Sequence, residues 1–330
     1  MSRIGPCPAP AVGLALVQGQ RSPDFYVGGF ANVLTRQKVN LSYYWDLASL
    51  TKIMLTVPLA LALVRDGLLE LDSTLGEKWP LAVNTPYASI AVWELLAHAS
   101  GAPADMDLRE GLGSSSRDLY SLVLGKVPVA EKPLYSDLGY ILVGGLIEHV
   151  TEKTLAQHVA EIDYLELAPP PEASVATEDC PWRRRLMCGE PHDEKAYVFP
   201  DRVAGHAGAF ASLPQVARFV QSLLVAKGVE RLLLDVASRQ WTPPGANRFG
   251  LGYRLAGGNG FGGTLRGQAG YGATGFVGNQ LWIEPDRGYA VVLLSNRVHP
   301  KRSSRELHDE WCSRLLDSVA LRLGESAERL

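Results

Sequence analysis

Asp46-Leu47-Ala48-Ser49-Leu50-Thr51-Lys52 sets a hydroxyl and an amine three residues apart at the head of the apolar stretch 53–64. In a helix, residues three apart stack on one face, so Ser49 and Lys52 point the same way. Ser49 is expected at the helix N-terminus, where partial positive charge favours the alkoxide that attack requires. The pair therefore offers a nucleophile and its base together. Spacing alone is unspecific: ordinary composition yields roughly one Ser-x-x-Lys in a chain this long, usually on a solvated helix surface. The surrounding sequence has to carry the reading.

The chain has 330 residues, 46% of them hydrophobic, enough for a large core in one domain or two. Lys and Arg total 32 against 35 Asp and Glu, a net charge of −3 without long runs of either sign, which argues against a nucleic-acid surface. Arg183-Arg184-Arg185 is the densest basic spot and reads as a solvated loop. The four cysteines, Cys7, Cys180, Cys188 and Cys312, form no Cys-x-x-Cys pair, so they read as reduced thiols rather than zinc or redox ligands. No apolar run reaches the roughly eighteen residues of a membrane span, and no leader pattern precedes Ala11. The expectation is a cytoplasmic protein, with a periplasmic or secreted location left open if a leader has been removed.

Residues 12–18 and 24–31 read as antiparallel strands around the turn 19–23. In the helix after Ser49, Pro58 predicts a kink or a lost hydrogen bond, and Asp66-Gly67 a stop. Helical patterns dominate from about 68 to 170, clearest at 90–97 and 138–149, and 168–199 reads as a long irregular loop. Beyond it come a helix at 213–225, strands at 251–255, 279–283 and 289–295, and a helix at 304–323. The fold class is α/β of the α+β type: a mainly antiparallel sheet built from both ends of the chain and flanked by helices. Residues 1–66 and 195–330 form the sheet domain, and 67–194 an all-helical insert with an irregular loop. The cleft between the two is the expected site.

Three separated segments give the Ser49/Lys52 pair its context: Tyr44-Trp45-Asp46 ahead of it, Tyr135-Ser136-Asp137, and Ala273-Thr274-Gly275. Together with 93–101, Gly205-His206-Ala207-Gly208 and Leu281-Trp282-Ile283-Glu284-Pro285, they resemble the serine β-lactamase and penicillin-binding protein superfamily. The likeness is to its class C-like branch, which also holds D-aminopeptidases and carboxylesterases. The resemblance implies the fold of that superfamily, an acyl-enzyme at Ser49 with Lys52 as base and Tyr135 as proton shuttle, and no cofactor or metal. It also implies an oxyanion hole of the Ser49 and Phe276 amides, the latter just past Gly275 on an edge strand. A small-molecule or peptide-like acyl substrate is then the expected partner, and the sequence does not give the oligomeric state.

Two positions depart from the pattern. Asp137 stands where relatives carry Asn, and an ionised carboxylate near Lys52 raises the pKa of that amine and weakens it as a base. A protonated Asp137, or one that binds a cationic substrate group, is also open. Ala273 stands where relatives place a Lys or His that holds a substrate carboxylate. Losing a charge-assisted hydrogen bond costs roughly 1.5–3 kcal/mol, so neutral esters or amides are expected to outrank β-lactams unless Arg248, Arg254 or Arg266 substitutes. Thr274 and Gly275 remain candidate substrate contacts. Two rival readings are a β-lactamase or DD-carboxypeptidase acting on D-amino-acid substrates, and a weakened penicillin-binding-like sensor.

Other signals carry less. His192-Asp193-Glu194 matches no metal-ligand spacing and reads as a cleft-rim loop in which His192 or Glu194 touches substrate. His206 reads as a turn residue positioned by its backbone rather than a general base, and His98 as a helix-end residue with structural hydrogen bonds. Gly258-Asn259-Gly260-Phe261-Gly262-Gly263 has the glycine spacing of a dinucleotide fingerprint, but no amphipathic helix follows. No Gly-x-Ser-x-Gly is present, which removes the usual sign of an α/β-hydrolase.

Overall fold

The computed structural model describes residues 5–129, 133–245, 247–257, 267 and 269–327. The 258–263 glycine run and Arg266 lie outside the described residues. In chain order the strands are β1 (Ala11–Gln18), β2 (Asp24–Asn32), β3 (Gln37–Lys38), β4 (Tyr44–Asp46), β5 (Asp179–Cys180), β6 (Arg185–Leu186), β7 (Phe210–Ser212), β8 (Arg254–Leu255), β9 (Tyr271–Thr274), β10 (Gln280–Glu284) and β11 (Tyr289–Ser295). Seven make one antiparallel sheet, ordered β3-β2-β1-β11-β10-β9-β8, so the two ends of the chain meet at the β1–β11 pair. Strand β4 pairs with β7 in a separate two-stranded sheet, and β5 with β6 in another.

Alternation in β1 explains its place. Ala11, Ala15 and Val17 face the cluster that includes Leu213, Val216 and Val220 of the helix Leu213–Val225, whereas Val12, Leu14 and Leu16 face Trp311, Leu315 and Leu316 of the helix Arg305–Ala327. A sheet covered on both faces has no wet side, and β11 accordingly reads as an unbroken apolar run, buried at every residue. Ser212 caps the Leu213–Val225 helix through a capping box with Gln215.

The 251–255 strand is shorter than expected. Gly252 adopts φ +83° and turns the chain, leaving only Arg254 and Leu255 to pair with β9. The helix Gly228–Ser238 is a further element, absent from the sequence expectations. The 67–194 stretch is not all helical, because it carries the β5–β6 ribbon, and the helix Glu194–Val198 spans the expected boundary at 194/195. No helix among the described residues is long and apolar enough to cross a membrane.

Close backbone approach at two glycines fixes the loop around residue 205. Gly144 of the helix Asp137–Thr151 lies so near Gly205 that a Cβ on Gly144 would come within 2.9 Å of the Gly205 nitrogen. A Cβ on Gly205 would in turn run into the Tyr140 carbonyl oxygen. This contact seats the Gly205-His206 segment on the helix, where the Thr56 hydroxyl donates to the Gly205 carbonyl at 2.6 Å. Replacing Gly205 with Ala should destabilise the protein by about 1–3 kcal/mol in urea denaturation, because the added carbon meets backbone that cannot rotate away. Gly245→Ala, whose Cβ meets nothing within 4 Å, should stay within about 0.5 kcal/mol of wild type.

Candidate active site

The chain enters the site along β4 and turns sharply before Ser49. Ala48 takes a left-handed conformation, φ +46°, which an L-residue with a Cβ adopts at a cost of roughly 1–2 kcal/mol. The buried Asp46 stabilises it, accepting from the Ala48 N–H at 2.7 Å and, through its other oxygen, from the His192 N–H at 2.6 Å. Burial pushes the Asp46 carboxyl above its usual value against those two hydrogen bonds. The Asn279 amide holds the Asp46 carbonyl at 2.8 Å.

Behind Ser49 the expected α-helix starts differently. The Leu50, Thr51 and Lys52 amides bond three residues back, and Lys52–Thr56 forms a π-helical turn closed by the Val57 N–H on the Lys52 carbonyl, before regular helix resumes at Val57–Arg65. Pro58 brings no N–H to this turn, and the Met54 carbonyl accepts from the Tyr164 hydroxyl at 3.3 Å. The local hydrogen-bond loss read from Pro58 is thus present as a wide turn, a feature concentrated at functional sites.

Lys52, only 2% exposed, donates to Ser49 Oγ at 3.0 Å, to Asp137 Oδ1 at 2.8 Å and to the His206 carbonyl at 3.2 Å. All three ammonium hydrogens therefore have acceptors. Asp137 opens the helix Asp137–Thr151, whose positive end suits a carboxylate, and Ser136 caps it by accepting from the Gly139 N–H at 3.1 Å. Burial pushes the Lys52 amine down, but the Asp137 charge and the neighbouring Tyr135 phenol outweigh it and raise its pKa. Burial pushes the Asp137 carboxyl up, yet Lys52, then His206 and Lys195, hold it at about 2. Of the alternatives open for Asp137, the 2.8 Å contact and the two pKa directions favour the ionised one, paired with an ammonium at Lys52.

Tyr135 stands against Lys52, its ring centroid 5.0 Å from Nζ and 4.3 Å from the His98 ring, to which it is tilted. His98 takes φ +57° and accepts from the Ser136 N–H through Nδ1 at 3.1 Å, so it orients the Tyr135-Ser136-Asp137 turn. Gly275 follows β9, and a Cβ there would lie 2.7 Å from the Leu47 carbonyl oxygen, an approach that only glycine permits. Its own carbonyl accepts from the Gly278 N–H at 3.0 Å, which directs the Phe276 N–H, on the other side of that trans peptide, away from the turn. Among the described residues nothing accepts from the Phe276 N–H or from the Ser49 N–H. Strand β9 is not the edge of the sheet, but β8 covers it only at Tyr271 and Gly272, leaving Ala273 and Thr274 open on that side.

Ser49, Tyr135, Asp137, Thr274, Phe276, His192 and Glu194 line a cleft of about 480 Å³. Ala273 is buried beside it and contributes no charge. His192 works within the protein: its Nε2 lies 2.8 Å from Glu178 Oε2, and its ring stacks on Phe276 at 5.5 Å, fixing the cleft lip. Glu194 lies 3.6 Å from Arg109. His206 contributes its carbonyl to Lys52, and its ring bonds Asp193 Oδ1 at 2.8 Å.

Three features of the site carry no sequence signal of their own: the left-handed Ala48, the Asp46 brace, and Lys195. Lys195 Nζ lies 3.3 Å from Asp137 Oδ2, 3.3 Å from Asp193 Oδ2 and 2.7 Å from Asp105 Oδ1. Donor atoms of Asp137, Asp193 and His206 lie within 4.8 Å of one another, and the ammonium groups of Lys52 and Lys195 supply the positive charge of this cluster. Of the arginines considered as replacements at the anion position, Arg254 reaches the cleft, its guanidinium 5.2 Å from the Tyr135 ring and 5.3 Å from Phe249. Among the described residues no carboxylate pairs with it. Arg302 and Arg305 also line the cleft but are engaged, Arg302 with Glu178 at 2.9 Å and Arg305 with Asp309 at 3.4 Å. Arg248 is tied to Gln240 at 2.8 Å and to the Ala256 carbonyl, outside the cleft lining.

The chain matches the Beta-lactamase family over residues 3–311. A protein of Escherichia coli (strain K12) named "Putative D-alanyl-D-alanine carboxypeptidase" is 28% identical over 307 residues, 79% of this chain and 71% of the relative. A protein of the same name from Salmonella gallinarum (strain 287/91 / NCTC 13346) is 28% identical over 300 residues, 77% of this chain and 69% of the relative. Among solved structures, a β-lactamase/D-alanine carboxypeptidase from Pseudomonas syringae superposes with a TM-score of 0.74 at 15% identity, covering 94% of both chains. A class C β-lactamase from Rhodobacter sphaeroides gives 0.73 at 17% identity, covering 94% of this chain and 95% of its own. These superpositions show that the fold is shared.

The Lys52–Asp137 pair sets a pH dependence of stability. A carboxyl held below its unfolded value stabilises the folded state above about pH 4 and loses that contribution as pH falls towards 2. An amine raised above its unfolded value contributes fully below about pH 10 and loses the contribution as pH rises through its folded value. Urea denaturation should therefore show wild type losing roughly 2 kcal/mol relative to Asp137→Asn between pH 4 and pH 2, with their difference level from pH 5 to 9. A constant difference down to pH 2 would contradict an ionised Asp137.

Proposed function

This chain belongs to the Beta-lactamase family and is a serine hydrolase, and we propose that it works through an acyl-enzyme at Ser49, with Lys52 as base and Tyr135 as proton shuttle. The observation that carries this reading is the 3.0 Å contact between Lys52 Nζ and Ser49 Oγ beside two backbone N–H groups without acceptors among the described residues. In the resting ammonium form Lys52 orients the hydroxyl. In the minority neutral form it takes the hydroxyl proton as Oγ bonds to the substrate carbonyl carbon. The developing oxyanion takes hydrogen bonds from the Ser49 and Phe276 amides. The proton passes through Tyr135 to the leaving group as the carbonyl–leaving-group bond breaks, and water then cleaves the acyl-serine.

For the substrate we favour a peptide-like acyl group whose leaving portion ends in a carboxylate, the chemistry of a D-alanyl terminus. Arg254 supports this, because it supplies in the cleft the positive charge that Ala273 lacks, and the relatives named for D-alanyl-D-alanine carboxypeptidase activity agree with it. The second reading, a neutral-ester hydrolase, rests on Ala273 itself.

Fluorophosphonate and a fluorescent penicillin, each followed by adduct mapping, should both modify Ser49 of wild type, and Ser49→Ala should take neither. Phosphonylation without penicillin labelling would favour the neutral-ester reading, and a penicillin adduct lasting hours a sensor. Arg254→Ala should raise KM for a D-alanyl carboxylate substrate about ten- to hundredfold, the loss of one charge-assisted hydrogen bond, with p-nitrophenyl ester turnover within about threefold of wild type. Equal losses on both substrates would remove Arg254 from carboxylate recognition.

A further inference from the structure

An aspartate against the base of an acyl-transfer site is a chemical liability, and the fold contains a second cation that faces it. We propose that Lys195 is a positioning residue that shares the Asp137 carboxylate with Lys52: one ammonium grips Oδ1, the other faces Oδ2, and the charge that would hold the Lys52 proton is divided between them. This rests on the acyl-serine mechanism proposed for Ser49 and explains how Asp137 is tolerated in it.

The geometry is specific. Lys52 meets Oδ1 at 2.8 Å and Lys195 lies 3.3 Å from Oδ2, so the carboxylate bridges two ammonium groups. Lys195 is 8% exposed and comes from the helix Glu194–Val198, whose N-cap Asp193 accepts from the Ala196 N–H at 2.9 Å and lies 3.3 Å from Lys195 Nζ. Asp105, from the loop that follows the helix Val92–Leu96, is its third acidic neighbour at 2.7 Å. Around Lys52 the charged and titratable neighbours are Asp137, Tyr135 and Tyr140 from the helical part, His206 and Asp193 from the cleft loops, His98 behind Tyr135, and Arg254 from β8. Among the described residues Lys195 is the other lysine or arginine in ion-pair contact with the carboxylate holding Lys52, with the His206 ring also near it. Burial pushes the Lys195 amine down, but Asp193, Asp137 and Asp105 outweigh that and raise it, so it stays charged across the working pH range.

With Lys195 neutralised, the full Asp137 charge faces Lys52 and a like charge nearby is gone, so Lys52 gives up its proton less readily. With both charges removed, Lys52 is freed from its strongest partner. A lysine that served only to tie the 105 loop to the 194–198 helix would affect stability without moving the pH profile.

The test is the pH dependence of the fluorophosphonate rate at Ser49, measured on folded full-length protein from pH 6 to 9. Below the Lys52 pKa this rate rises about tenfold per pH unit, so any change in that pKa displaces the whole line. Lys195→Met should displace it upward by about one pH unit, which is about tenfold slower at fixed pH. Lys195→Arg, which keeps the charge, should stay within about threefold of wild type, and Asp137→Asn/Lys195→Met should return to the wild-type line or fall at lower pH. A Lys195→Met line superimposed on wild type, an equal slowing in Lys195→Arg, or a double variant slower than Lys195→Met would each overturn the proposal. If fluorophosphonate leaves wild-type Ser49 untouched, the acyl-serine reading fails. Titration of Lys52 by ¹³Cε-lysine NMR in the same proteins then decides the charge sharing, with midpoints expected highest in Lys195→Met and lowest in the double variant.

Discussion

A buried ammonium needs acceptors for all its hydrogens, and the site is arranged around that demand at Lys52. Its three acceptors come from three parts of the chain: Ser49 on its own turn, Asp137 at the head of the central helix, and the His206 carbonyl from the loop leading to β7. Each must be brought within about 3 Å of one nitrogen without steric clash. Gly205 and Gly144 let the loop lie directly on the helix, and Gly275 lets β9 approach the turn before Ser49. The left-handed Ala48, braced by Asp46, turns the serine towards the amine. Left-handed backbone at Ala48 and His98 and close approach at Gly205 and Gly275 position the site, while β1 takes its place in the sheet between two flanking helices by ordinary alternation.

Charge is handled by the same logic. An aspartate in place of a neutral amide strengthens the hold on Lys52, which favours order at rest and works against proton transfer. The second lysine and Arg254 bring positive charge back to a cleft that also contains Asp105, Asp193 and Glu194. Set against the pattern that the sequence resembles, Asp137, Lys195 and Arg254 redistribute charge within the cleft around Ser49 and Lys52.

Elements with strong local patterns are legible from sequence. The 12–18 and 289–295 strands and the 213–225 helix agree with the structure within a residue at each end, because a period of two or of 3.6, bounded by turn or cap residues, leaves little choice. Ser49, Lys52, Tyr135 and Asp137 are legible through spacing and resemblance, and the structure gathers all four. Pro58 signals a disturbed helix, although nothing local says that the disturbance takes the form of a π turn or that the Met54 carbonyl finds the Tyr164 hydroxyl, more than a hundred residues away. Lys195 is not legible: Asp137 implies a compensating cation, but a chain with 32 Lys and Arg does not say which one folds against it. Nor is the left-handed Ala48, since an alanine carries no mark of positive φ. The β5–β6 ribbon, two residues to a strand, lacks the pattern length that distinguishes an element from a loop, whereas the 228–238 helix carries an amphipathic pattern over eleven residues that the sequence reading did not use.

The central claim is that Ser49 reacts because Lys52 and two backbone amides surround it in one arrangement. A crystal structure of the protein after reaction with a methylphosphonate ester tests it most directly. The account predicts phosphorus bonded to Ser49 Oγ, the phosphoryl oxygen within hydrogen-bond distance of both the Ser49 and Phe276 N–H groups, and Lys52 Nζ still against Oγ. A phosphoryl oxygen turned to solvent, or an adduct on any other residue, would contradict it.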